Sequence, residues 1–192
     1  MSTVDPNAVM MIGENPFIRL SENDGDANST DASFWRVTTC PAGPGHVLYL
    51  KSELTDNQWR IYSDNIAMAR WLQATIQGML NAETGDQSIP VIDAEFTKSG
   101  DPAYYWTEHV WARDEEIALT WHDIGTPLLI HTQPNDPADR RYGVCTILIP
   151  TAAARLTLNG EQAKGQPWPR EREGKPFSTC ALAFAESWTE AR

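Results

Sequence analysis

Glu108 is the residue around which chemistry could be built. It lies in Tyr105–Arg113 (Y-W-T-E-H-V-W-A-R), and the following Glu116–Asp123 (E-I-A-L-T-W-H-D) alternates in the same way. Alternation with a period near two on both sides of Asp114-Glu115 predicts a β-hairpin. A two-residue turn at Asp114-Glu115 would pair Arg113 with Glu116 and set His109 opposite Thr120, with His122 diagonal to it. His109, Trp111, Arg113, Thr120 and His122 then share one face, and Glu108, Val110, Ala112, Ile117, Leu119 and Trp121 share the other. The second face is the more apolar and is the expected core side. A carboxylate there must be paired or have its pKa raised, and such a group can act as a general acid or base. His122 and His131, with Tyr104 or Tyr105, are the expected proton partners. Trp106, Trp111 and Trp121 would wall an apolar or aromatic substrate, with Tyr104, His109 and Arg113 as further contacts.

Competing chemistries lack their signatures. Convergence of His109, His122 and His131 would suit zinc, iron or copper. However, H-x-H and H-E-x-x-H spacings are absent, so the histidines read as scattered and no metal is expected. Asp24-Gly25-Asp26-Ala27-Asn28 alternates oxygen ligands as calcium loops do. It lacks the sixth-position glycine, and Trp35 stands where a bidentate Glu belongs, so a solvated acidic loop is expected. G-x-S-x-G, Walker A and G-x-G-x-x-G patterns are also missing, leaving no motif for serine hydrolysis or nucleotide binding and no cofactor.

Composition narrows the partners. The chain has 192 residues, with 15 basic against 26 acidic side chains and a net charge of −11. Its length fits one domain with a core of its own. Such acidity opposes binding to nucleic acid or to anionic membranes. Cys40, Cys145 and Cys180 cannot all pair within one chain and form no C-x-x-C, so three reduced thiols are expected. No basic start followed by an apolar block opens the sequence, and no apolar run approaches membrane-spanning length. The expected location is cytoplasmic.

The elements that must position Glu108 are mostly strands. Residues 1–33 read as irregular or partly disordered, with Phe17–Leu20 a first short strand and Ser21–Ser33 a polar loop. Strands are expected over Phe34–Thr39, His46–Lys51, Gln58–Tyr62 and Val91–Phe96, then the hairpin. Pro127–Thr132, Tyr142–Ile149, Ala153–Leu158 and Ser178–Trp188 follow, separated by Gly, Pro, Asn and Asp turns. One amphipathic helix, about 64–82, interrupts them. Ile66, Ala69, Leu72, Ile76, Met79 and Leu80 form its apolar stripe, while Arg70, Gln73, Gln77 and Asn81 fall opposite. Gln166–Lys175 reads as an exposed loop, because Pro167 and Pro169 lack the donor a central strand needs. The aromatic, proline-rich stretch around Trp168 has the character of a partner-docking loop.

Leu119-Thr120-Trp121, Gly125–Ile130 and Tyr142–Pro150 together resemble lipocalin-like (calycin) barrels, in particular small non-oxidative lyases of the phenolic acid decarboxylase type. The resemblance implies a cupped sheet and transfers no catalytic residue. The expectation is a mainly β protein, an antiparallel barrel or sandwich with one packed helix. Its expected function is acid–base chemistry (lyase, hydratase or isomerase) on an apolar or aromatic small molecule. The alternative is a non-catalytic ligand-binding protein or an accessory subunit of a larger enzyme, with a homodimer or a heteromeric partner both left open.

Overall fold

The computed structural model describes residues 9–23, 25, 27–135, 141–172 and 174–191. The chain is mainly β, as its alternation predicts. Strands β1 (Val9–Glu14), β2 (Phe17–Leu20), β3 (Thr30–Thr39), β4 (Gly45–Ser52) and β5 (Arg60–Ser63) precede helices α1 (Ile66–Ala74) and α2 (Ile76–Leu80). After them come β6 (Val91–Asp101), β7 (Tyr105–Ala112), β8 (Glu116–Ile124), β9 (Leu128–Thr132) and β10 (Tyr142–Leu158). The last are β11 (Glu161–Gln162), β12 (Pro169–Arg172), β13 (Lys175–Ser178) and β14 (Ala181–Glu190).

The strands pair in the order β3-β4-β5-β6-β7-β8-β10-β14. Strand β14 pairs with β1 and β2, which both pair with β3, so the sheet closes into a barrel-like ring. All these pairings are antiparallel except β5 with β6, which the helical crossover makes parallel. Side chains that alternate inward fill the ring with Phe34, Leu48, Leu50, Val110, Leu119 and Trp121, among others. Residues 9–20, expected to be mostly irregular, instead supply β1 and β2, because their edges are needed to close the ring. Residues 1–8 lie outside the described part.

The helical segment packs on the outer face of β3–β5, where Trp35, Tyr49 and Ile61 meet Met68, Ala69, Leu72 and Ile76. Asn65 caps its start, its side-chain oxygen accepting from the Met68 amide at 3.1 Å. Burying Leu72 and Ile76 contributes about 1.5–3 kcal/mol each. The segment breaks at Thr75 instead of running on as one helix. Ile66, Met79 and Leu80 of the expected stripe are exposed, whereas Gln73 and Gln77 are buried. The two amides are tolerated because they are bonded. Gln77 Oε1 accepts from Trp35 Nε1 at 2.8 Å, and Gln73 Nε2 donates to the Thr84 carbonyl at 2.9 Å. No helix among the described residues is long and apolar enough to cross a membrane.

Candidate functional site

Glu108 points into the ring and is fully buried, on the same face as Val110, Ile117, Leu119 and Trp121. Its partners come from far along the chain. Arg36 on β3 donates to Oε2 at 2.7 Å, and Trp106 Nε1 donates to Oε1 at 2.8 Å. Burial raises the carboxyl above the ordinary Glu range, against the opposing pull of Arg36 and Trp106. Arg36 also pairs with Glu14 on β1 and donates from Nε to His46 Nε2 at 3.2 Å. Since that nitrogen accepts, the imidazole proton lies on Nδ1, 2.6 Å from Asp64 Oδ2. Phe96 stacks on the His46 ring at 5.1 Å. One guanidinium therefore ties β1, β3, β4 and β7 together through three acceptors.

The hairpin register differs by two residues from the two-residue-turn expectation. Trp111, not Arg113, pairs with Glu116, and His109 faces Ala118. An even shift preserves the faces, so Glu108 keeps its inward position while Arg113 falls in the turn. The histidines expected beside Glu108 stand elsewhere, because alternate residues of a strand face opposite ways. His122 lies on the outer face, stacked with Tyr105 at 6.4 Å. His131 is exposed on β9, 3.1 Å from Gln133. His109, also outward, stacks on Trp111 at 6.3 Å and leaves Nδ1 buried without a partner among the described residues. Tyr104 is 73% exposed in the β6–β7 turn. Trp106 and Trp121 do face inward, and Trp121 Nε1 donates to the Phe17 carbonyl at 3.0 Å. The imidazole that joins the Glu108 network is His46, whose sequence neighbours carry no sign of it.

A second buried carboxylate escaped the pattern altogether. Glu186 on β14 accepts from Trp188 Nε1 at 2.6 Å and has no cation beside it among the described residues. Its register partner on β10 is Thr146, a buried hydroxyl short of ordinary hydrogen-bond geometry that supplies a weaker second dipole. Burial pushes the Glu186 carboxyl up to about 7. Among the described residues no group of three or more His, Cys, Asp and Glu side chains could hold a metal ion. Asp24 and Asp26 of the acidic loop lie outside the described residues.

An open groove of about 460 Å³ lies on the outside of the ring. It forms where β10 changes partner. Strand β8 ends at Ile124, just after Asp123 with its φ of +52°, and β9 resumes at Leu128, so Gly125–Pro127 leaves a gap over Pro150. Gly125 is required there, since a Cβ would stand 2.9 Å from the Pro150 carbonyl oxygen. The opposite wall is the β12–β13 hairpin, which pairs apart from the ring. Its residues 169–172 and 175–178 are thus strand, not loop. They obey the proline argument by staying outside the main sheet.

Trp168 enters the hairpin half-buried. Its indole Nε1 donates to the Ser21 carbonyl at 3.1 Å, and its amide donates to Thr179 Oγ1 at 2.9 Å. Gly25, at φ +73°, lies against the indole so closely that a Cβ would meet Trp168 Cγ at 2.7 Å. Phe177 reaches from the hairpin to Leu128, Ile130 and Leu148 on the ring. The groove wall is apolar and fixed at both ends, with Lys175 and Asp123 as its charged side chains. Compared with protein-family models, with curated proteins and with solved structures, the chain matches none.

Proposed function

We propose that the protein is a binding protein for an apolar or aromatic small molecule, held in the groove between the β12–β13 hairpin and the ring. The observation that carries this reading is the groove itself. Its volume of about 460 Å³ falls within the ~300–1,000 Å³ range of small-molecule pockets. Its walls are Trp168, Phe177, Leu128 and prolines, with a few polar groups at the edge. The hydrogen bonds that fix Trp168 lower the ordering cost that a flexible loop would add. Acid–base chemistry at Glu108 has less behind it. Both its oxygens are engaged, and it lines neither this groove nor the smaller polar cleft described below. We assign Glu108 and Arg36 to holding the ring end together.

Titration with a neutral apolar fluorophore such as N-phenylnaphthylamine tests the reading. Ala152 lines the groove and is exposed, so Ala152→Trp fills it without removing a native contact. Saturable one-to-one binding is expected, weakened at least about tenfold in the variant, a change of about 1.4 kcal/mol. Absence of saturable binding, or equal affinity in a folded Ala152→Trp protein, would overturn it.

A further inference from the structure

A smaller cavity of about 190 Å³ shares no lining residue with the apolar groove and is opposite in character. The geometry points to it as a binding site for a neutral polyhydroxylated ligand, a single monosaccharide unit. The cleft lies on the outer side of β3 and β4, between the loop carrying Asn28, the segment Asn57–Trp59 and the 3-10 turn at Ala82–Gly85.

Its one aromatic wall is held in place from two sides. Trp59 Nε1 donates to Glu83 Oε2 at 2.8 Å, and the Lys51 ammonium donates to the same oxygen at 2.7 Å. That ammonium also stands 5.9 Å from the centroid of the Trp59 ring. Asp31, the register partner of Lys51, feels that ammonium only at longer range. Among the described residues its carboxylate has only long contacts, 3.6 Å to Arg19 Nε and 3.5 Å to Asn28 Nδ2. Burial pushes that carboxyl above the ordinary Asp range, as expected of an acceptor that is desolvated and poorly served. Asn57 is exposed, and its amide has no hydrogen-bond partner among the described residues. Its backbone is nevertheless fixed, in the left-handed region at φ +56° and with its N–H donated to the Ser52 carbonyl at 2.8 Å.

These groups select by charge and by donor pattern. Lys51 balances Glu83, and Arg19 balances Asp31, so the cleft favours neither an anion nor a cation. Carboxylates accept strongly from hydroxyls, while the side-chain amides of Asn28 and Asn57 both donate and accept. A sugar ring offers hydroxyls around its rim and an apolar C–H face to lie on an indole. The small volume limits the occupant to one ring, with a dissociation constant on the order of 1 mM.

The test uses the full chain, isotope-labelled, and follows the Trp59 indole N–H resonance, assigned by its loss in Trp59→Phe. The probes are the methyl glycosides of glucose, galactose and mannose, with inorganic phosphate and tetramethylammonium as charged comparators. At least one glycoside should move the Trp59 signal saturably. Asn57→Gly, which keeps the left-handed backbone, should weaken that response at least about fivefold with an unchanged melting temperature. Asn28→Ala should do the same. The inference fails if no glycoside moves the signal, if both variants respond like the parent, or if a charged comparator binds more tightly than every glycoside.

Discussion

Replacing Glu186 by Gln should flatten the pH dependence of stability and stabilise the protein above neutrality. The carboxyl titrates near 4.5 when exposed and is pushed up to about 7 in the fold, because burial opposes its charge and, among the described residues, only the neutral donors Trp188 and Thr146 face it. At ~1.36 kcal/mol per pH unit that gap amounts to about 3 kcal/mol. The sign follows from where the proton is held more tightly, which is the folded state. Below about pH 4.5 both states are protonated and the stabilisation is fully present. As pH rises, the unfolded chain ionises first and stability is lost, until the folded carboxyl also ionises near 7. Glutamine does not titrate, and its carbonyl can still accept from Trp188. The stability of the variant minus that of the parent should therefore rise by about 3 kcal/mol between about pH 4 and pH 8, or about 6–12 °C in melting temperature. Urea unfolding at a series of pH values, followed by circular dichroism, measures it, and the subtraction cancels every other titrating group. A difference constant to within about 0.5 kcal/mol across that range would show that water or a cation reaches Glu186 and would refute the reasoning.

Arg36→Met should cost about 3–5 kcal/mol at neutral pH, since it strands fully buried Glu108 and half-buried Glu14 without their cation. The cost should shrink in acid as the Glu108 carboxyl, raised by burial, takes up its proton, and Glu108→Gln, which leaves Arg36 with Glu14, should cost clearly less. A neutral-pH loss below about 1 kcal/mol would mean that the guanidinium is not the tie it resembles. Gly13→Ala should lower the urea midpoint by an amount equivalent to about 1–3 kcal/mol. Its Cβ would stand 2.4 Å from the Arg36 carbonyl oxygen, forcing β1 away from β3, and an unchanged midpoint would show that β1 yields without cost.

The strands were legible in the sequence because burial on one face writes a period of two into the residue types. That is why Glu108 could be placed on the core face although the register was off by two. The partner Arg36, 72 residues away, could not be read, because no local pattern says which strand lies beside which. The same limit hid His46, whose position beside Arg36 follows from the β3–β4 register. Polarity alone puts Gln73 and Gln77 on the solvent side, whereas their carbonyl and indole partners let them be buried. Glu186 gives no signal because β14 shifts register between Ala183 and Glu186, opposite Leu148 and Thr146 of β10, interrupting the alternation that would mark it as inward or outward. The groove was invisible for a related reason. It is made by the gap between β8 and β9 meeting a hairpin that begins some forty residues later, although the prolines flanking Trp168 did mark that stretch as unfit for the main sheet.

Ring closure by β14 sets the order of assembly. Met11 pairs with Trp188, far along the chain, and β14 also covers the long edge of β10. Until residues 181–190 have left the ribosome, the edges of β10 and β1 must wait unpaired, with apolar side chains on both sides. Closing the ring therefore waits on contacts between distant parts of the chain, the kind of pairing that slows folding.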